Sequence, residues 1–194
     1  MSPAQVPAGL EALRELAAEA GAESARAVGR LMGGDGSLED VAAFDAADAA
    51  ALATLAGSLG RELVAVGMDL AGPLPGRIVL LVGSADAERI ATTLVPSAAA
   101  GSLDALGESA VVEAGNIAGS AFVSSLARRL ARPLLHGVPR LTRGSPAGCV
   151  ADLAGRLAGP ALVPTFRCAG LRAVLLFLPD AERMTALVAA REAR

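Results

Sequence analysis

The 194-residue chain has no Lys, Tyr or Trp, and one each of Asn, Gln and His. All 17 of its basic residues are Arg, against 20 acids, for a net charge of −3. With no basic run and aromatics at 2%, both the electrostatic footprint and the stacking platform of a nucleic-acid binder are missing. The single histidine, His136, removes multi-His metal sites and Ser-His-Asp catalysis unless it alone carries them, and it reads as an ordinary satisfied or exposed side chain. Cys149 and Cys168 form neither a CxxC motif nor a disulfide framework, which points to a reducing compartment. No apolar run approaches the ~20 residues a bilayer span needs, and the N-terminus lacks a basic n-region. The expectation is a cytoplasmic protein without membrane insertion. What is abundant is Ala, 45 residues in all, which supplies much of the 53% hydrophobic content. That bias, with Arg in place of Lys, reads as a GC-rich coding sequence.

Hydrophobic periodicity predicts a long helix from Leu10 to Met32, with Leu10, Leu13, Leu16 and Ala17 on one face and glycines at its end. A strand over 61–70, a turn over 71–76, a buried strand over 78–82 and a helix over 86–94 follow. Residues 96–101 read as a linker. The order then repeats: a helix from Leu103 to Arg132 stopped by Pro133, strands at 164–168 and 173–178 around an Ala169-Gly170 turn, and a helix over 180–190. The repetition is also one of residues. Arg77-Ile-Val-Leu-Leu precedes Asp86-Ala-Glu-Arg89, and Arg172-Ala-Val-Leu-Leu precedes Asp180-Ala-Glu-Arg183. Residues 1–194 are therefore expected to form one α/β (α+β) domain from two pseudo-repeats, 10–95 and 102–190, related by a pseudo-two-fold axis. Each repeat is a helix-strand-strand-helix unit, and the two long helices should pack on one central, mainly antiparallel sheet. Residues 36–60 fit this scheme poorly.

On the second long helix Ala110, Ala114, Ile117 and Ala121 lie at helical spacing and are expected to be buried. Ser109, Glu113, Asn116 and Ser120 make a second, polar stripe beside Gly115 and Gly119. Each mid-helix Gly costs about 1 kcal/mol relative to Ala, so two in an Ala-rich chain imply a close approach. The approaching group is either the other long helix or a partner. Glu113 and Asn116 are i, i+3 neighbours and project together. A carboxylate can pair with a partner's cation, and a carboxamide can orient a water molecule.

Ser109, Glu113, Asn116 and Pro139 reproduce the spacing of a known signature: Asp or Ser, three residues, Glu, two, Asn, twenty-two, Pro. By composition alone, the other three positions would match around the single Asn with a probability of about 1 in 3,000. In this the chain resembles the CheC/CheX/FliY family of chemotaxis phosphatases, CheC most closely. CheX usually acts as a single-site dimer, and FliY carries a further motor-switch domain. The resemblance implies hydrolysis of the phospho-aspartate of a CheY-like receiver. Asn116 would hold the attacking water and Glu113 would contact the receiver's lysine. Ser109, Gly115, Gly119 and Ser120 would form the partner-facing surface. It implies no cofactor of the chain's own, Mg²⁺ belonging to the receiver. In the first repeat Glu15 matches the family's glutamate, but Ala18 stands in place of Asn and Glu11 in place of Asp or Ser, which implies a degenerate site. The alternative is a catalytically weak adaptor that binds a phosphorylated receiver or a CheD-like deamidase through the same helix face. A small-molecule site between the repeats is a third reading, and no residue points to a ligand for it.

Overall fold

The computed structural model describes residues 8–96, 103–154, 159–184 and 186. Most of the expected linker, and residues 185 and 187–190 of the expected closing helix, lie outside them. Helix α1 (Ala8–Leu31) carries Leu13, Leu16 and Ala17 of the expected face into the core, the side chain of Leu10 lying outside the described ones. It ends where Gly33 takes a left-handed conformation (φ 75°) and the Gly34 amide reaches back to Gly29 O at 2.9 Å, a glycine-dependent stop.

The segment that fitted poorly holds strand β1 (Gly36–Asp45) and helix α2 (Ala49–Gly57). The two aspartates that interrupt its Ala-rich run separate them. Asp45 accepts from the Ala47 amide in a turn, and Asp48 caps α2 by accepting from the Ala51 amide at 2.9 Å. Strands β2 (Leu63–Ala71) and β3 (Gly76–Gly83) lead to α3 (Ser84–Leu94). Helix α4 (Ala105–Leu130) is capped by Asp104, which accepts from the Gly107 amide. It is followed by β4 (Leu135–His136), β5 (Arg140–Gly144), α5 (Pro146–Ala154), β6 (Pro160–Cys168), β7 (Leu171–Pro179) and a helical turn over 181–184. Beyond the helix-strand-strand-helix unit expected, the first half therefore contains an extra strand and helix, and the second two extra strands and a helix.

All strand pairs are antiparallel, in the order β1-β6-β7-β3-β2, with β4 and β5 both on the far side of β2. The outer strands are exchanged between the halves. β1 pairs with β6 from Gly36↔Cys168 to Asp45↔Pro160, and β5 pairs with β2 from Leu63↔Gly144 to Gly67↔Arg140. Each hairpin thus takes its edge from the other half of the chain. The repeated tetrapeptides make the same cross-connection. The Arg89 guanidinium donates to Ala169 O and Gly170 O in the β6–β7 turn, and the Asp180 amide donates to Pro75 O in the β2–β3 turn.

The sheet is buried on both faces. Val64, Val66, Met68, Ile78, Leu80 and Val82 face α1, α3 and α4, while Leu63, Ala65, Val79 and Leu81 face α2 and α5. This double burial explains why β3 and β7 read as continuous apolar runs without alternation. Cys168 and Cys149 belong to opposite faces and form no disulfide. Burial pushes the Cys168 thiol up to about 11, and the nearby Asp86 carboxylate adds to the rise.

Two expectations about α4 are corrected. Its buried stripe runs through Val111, Ala114, Ala118, Phe122 and Leu126, whereas Ile117 and Ala121 are only half-buried. Turning the helix this way buries Phe122, whose ring lies 5.3 Å from that of Phe177, and Phe carries more apolar area than Ala. The helix also ends before Pro133, at a left-handed Ala131 (φ 51°) whose amide bonds to Ala127 O and Arg128 O. Between the two long helices, buried Ser24 donates to Ala118 O at 2.9 Å. Ion pairs Glu19–Arg129 and Glu23–Arg128 span their surface.

Candidate functional site

The side of α4 opposite its sheet-facing stripe is where the polar residues emerge. Ser109 and Glu113 are exposed, and Asn116 and Ser120 are half-buried. The Ser109 hydroxyl donates to Ala105 O one turn back, so it decorates the helix surface. Glu113 and Asn116 stand roughly 60° apart around the axis and ~4.5 Å apart along it.

Both are unoccupied, as is Glu15, the counterpart of Glu113 on α1. Among the described residues, neither side chain has a hydrogen bond or an ion pair, unlike most of the acids around them. Glu108 pairs with Arg143 of β5, whose guanidinium also donates to Leu103 O at 2.6 Å. Asp104 caps the helix. Glu113 is thus left as a bare carboxylate beside a bare carboxamide, free to meet an incoming cation and an incoming water.

Gly115 and Gly119 do not form part of this surface, contrary to the sequence reading. Both are buried against β2. A Cβ on Gly115 would lie 2.5 Å from Val66 Cγ1, and one on Gly119 would lie 2.4 Å from Met68 Cε. The close approach is made by the sheet, neither by the other helix nor by a partner. Gly21 on α1 behaves alike, its Cβ position falling 2.6 Å from Pro164 Cβ on β6. The glycines let α4 lie low on the sheet, which sets the height of Glu113 and Asn116.

Ser120 has a partner that sequence reasoning missed. His136, on β4, accepts the Ser120 hydroxyl at Nε2 (2.8 Å) and donates from Nδ1 to Gly137 O (3.0 Å). The carbonyl acceptor fixes the proton on Nδ1. A two-residue strand is too short to leave a periodic signal, and sixteen residues separate the pair. His136 is the satisfied histidine expected, but it is satisfied by a residue of the candidate stripe. Pro139 immediately precedes β5, a position that suits a residue without an amide donor.

On α1, Glu11 and Glu15 are exposed and Ala18 is half-buried. Glu11 sits beside Arg14 (3.8 Å), whose guanidinium also donates to Val41 O. The methyl of Ala18 offers nothing to a water, and the next acid, Glu19, is bound to Arg129. No group of three or more His, Cys, Asp or Glu is gathered for a metal among the described residues.

Helix α4 also has the length and mean hydropathy (1.2) of a membrane span, but 56% of that window is buried inside the fold. It is a core helix whose outer edge is polar.

No protein-family model and no curated protein matches the sequence. Solved structures do match the fold. FliY from Thermotoga maritima superposes with a TM-score of 0.68 at 16% identity, covering 95% of this chain and 96% of that one. CheX from Desulfovibrio desulfuricans gives 0.59 at 11% identity over 86% and 99%. FliM from H. pylori, in a complex with SpeE, gives 0.63 at 12% identity over 96% and 97%. The chain has the fold these proteins share.

Proposed function

We propose that this chain is a phosphatase of the CheC/CheX/FliY type, acting on the aspartyl phosphate of a CheY-like receiver from one site on α4. The observation that carries the reading is the Glu113–Asn116 pair: outward-facing, adjacent, and without partners among the described residues. The signature spacing from Ser109 to Pro139 and the fold shared with FliY and CheX support it.

Hydrolysis of an acyl phosphate needs a water in line with the phosphorus–oxygen bond to the aspartate, and little covalent assistance. The Asn116 carboxamide oxygen accepts one hydrogen of that water and its amide group donates to an adjacent oxygen, so the lone pair is aimed at phosphorus. As the new P–O bond forms, the bond to the aspartyl oxygen breaks. The carboxylate leaves, and the water's proton passes to phosphate or solvent. Glu113 receives the receiver's active-site ammonium, which anchors the complex and sets Asn116 beside the phosphoryl group. Mg²⁺, where needed, is supplied from the receiver's side.

The test is phosphate release from a CheY-type receiver phosphorylated with acetyl phosphate. Asn116→Ala should lower kcat by about 10²-fold, the usual scale for one precisely aimed polar contact. Glu113→Ala should raise KM by about tenfold, the scale of one charge-assisted contact. Wild-type activity in Asn116→Ala would refute the mechanism. Binding without hydrolysis in wild type and Asn116→Ala alike would establish the adaptor reading instead.

A further inference from the structure

Helices α1 and α4 pack antiparallel, Ser24 meeting Ala118 while Glu19 meets Arg129 near the end of α4. At that end they enclose a cleft of about 350 Å³, lined by Glu19, Glu23 and Arg26 of α1 and by Ser125, Arg128 and Arg129 of α4. Small-molecule sites begin at roughly this size, ~300 Å³. Ser125 is nine residues from Asn116, which at 3.6 residues per turn puts it on the opposite side of α4. The cleft is therefore separate from the candidate site described above.

Its charges do not balance. Each carboxylate has its own guanidinium: Arg129 holds Glu19, and Arg26 holds Glu23 at 2.9 Å. Arg128 is left over. It stands 3.8 Å from Glu23, beyond hydrogen-bond reach, with its side chain largely exposed. Arg30, one turn after Arg26, adds a further positive charge. The Glu23 carboxyl is held below its ordinary value of 4.5 first by the Arg26 hydrogen bond and then, against partial desolvation, by the charges of Arg26, Arg128 and Arg30. Four guanidinium groups thus surround two carboxylates.

Ser125 supplies the second indication. The residue is only 4% exposed, yet its hydroxyl opens on the cleft and, among the described residues, bonds to no protein group. Ser24, also buried between the two helices, is by contrast bonded to Ala20 O and Ala118 O. A buried hydroxyl without a partner costs free energy unless something else meets it. The last turn of α4 suits Arg128 and Arg129 through the helix dipole in any case, but the dipole gives no reason for an open serine beside them. Duplication does not account for the cluster either. At the 98-residue offset that pairs Glu15 with Glu113, Ile117, Ala121 and Ser124 correspond to Glu19, Glu23 and Arg26, and Ala27 and Leu31 correspond to Ser125 and Arg129.

We propose that this cleft binds the phosphate group of a small ligand, as free phosphate or as a phosphomonoester. Phosphate oxygens accept from several donors at once, which suits a guanidinium fork beside a hydroxyl. Arg128 meets one edge of the group and Ser125 donates to another oxygen. Arg26 and Arg129 add the N–H donors that their carboxylates leave unfilled. A bare phosphate fills only part of the volume, which leaves room for the rest of an ester. The proposal does not depend on the phosphatase reading.

The experiment titrates the full chain with inorganic phosphate and with glycerol 3-phosphate at constant ionic strength, followed by calorimetry and by amide NMR shifts. Saturable binding with a Kd of about 1 mM or tighter is expected, with the shifts concentrated at Arg26, Ser125 and Arg128. Ser125→Ala keeps a good helix former at that position, and Arg128→Gln breaks no hydrogen bond. Each should weaken binding about tenfold, the scale of one charge-assisted contact. Arg140→Gln, at an exposed arginine on β5, should leave it unchanged. Tighter binding of glycerol 3-phosphate would identify an ester site and equal affinities a free-phosphate site, and either supports the proposal. No saturable binding below about 20 mM, or a Kd unmoved by both Ser125→Ala and Arg128→Gln, would overturn it. An equal loss in Arg140→Gln would also overturn it, by reducing the effect to general charge. None of these readouts uses receiver dephosphorylation, so this proposal and the phosphatase reading fail separately.

Discussion

Substituting Gly115 by Ala sets two known effects against each other. Ala is favoured over Gly inside a helix by about 1 kcal/mol. Against this, the added Cβ would sit 2.5 Å from Val66 Cγ1, 2.6 Å from its Cβ and 3.0 Å from its Cγ2. Ordinary carbon–carbon contact is near 3.5–4.0 Å, so more than an ångström of overlap must be relieved. Val66 cannot relieve it cheaply. It is β-branched and stiff at χ1, it is fully buried, and β2 is hydrogen-bonded on both sides, to β3 and β5. Overpacking of this kind costs about 1–3 kcal/mol, and with an unyielding neighbour the upper end applies. The net expectation is a loss of about 2 kcal/mol, or roughly 4–8 °C in Tm for a chain of this size. Gly119→Ala should be milder, because the nearest atom, Met68 Cε at 2.4 Å, is the tip of a flexible side chain. Gly57→Ala, with nothing within 4 Å of the new Cβ, should stabilise by about 0.4–1 kcal/mol. Urea or thermal unfolding of the three variants measures the series. A Gly115→Ala protein as stable as wild type would refute the claim that this glycine is there to let the helix lie against the strand. Because relief must lift α4 from the sheet, the variant should also lose receiver phosphatase activity beyond what its folded fraction explains.

Two further outcomes follow from other parts of the molecule. Ala18→Asn, which places a carboxamide three residues from Glu15, should leave receiver dephosphorylation at the wild-type rate, because the first half lacks the longer connection that is fastened to α4 through Ser120 and His136; a doubled rate would show that the Asn alone makes a site. At the sheet edge, Arg167, with Arg172 behind it, holds the Glu39 carboxyl below its ordinary value of 4.5, against the opposing effect of its partial desolvation. A carboxylate favoured in the folded state contributes stability that is present above pH 4.5 and lost as pH falls through its folded value. Glu39→Gln should therefore lower the urea midpoint at pH 7 more than at pH 3.5, and an equal change at both would contradict the assignment.

Local chemistry carried much of the architecture. The apolar runs at Ile78–Val82 and Ala173–Leu178 became β3 and β7 because a strand buried on both faces needs no alternation. The spacing of Leu13, Leu16 and Ala17 located the buried face of α1. The i, i+3 spacing of Glu113 and Asn116 sufficed to place them side by side, since helix geometry is set by the backbone alone. Where α2 and α5 would form was not readable, because short Ala-rich helices have little amphipathic signal and take their stability from the sheet they cover.

By itself the sequence determined which residues share a helix face, where strands would be fully buried, and that one carboxamide stands beside one glutamate. Only the tertiary structure decided what each of them faces. It turned Gly115 and Gly119 from a presumed partner surface into a seat on β2, exchanged β1 and β5 between the halves, and brought His136 to Ser120 across sixteen residues. The physical reason is one of range. Periodicity records which residues point together, whereas the identity of the opposing surface depends on pairings between distant segments, and those leave no trace in the spacing of either one.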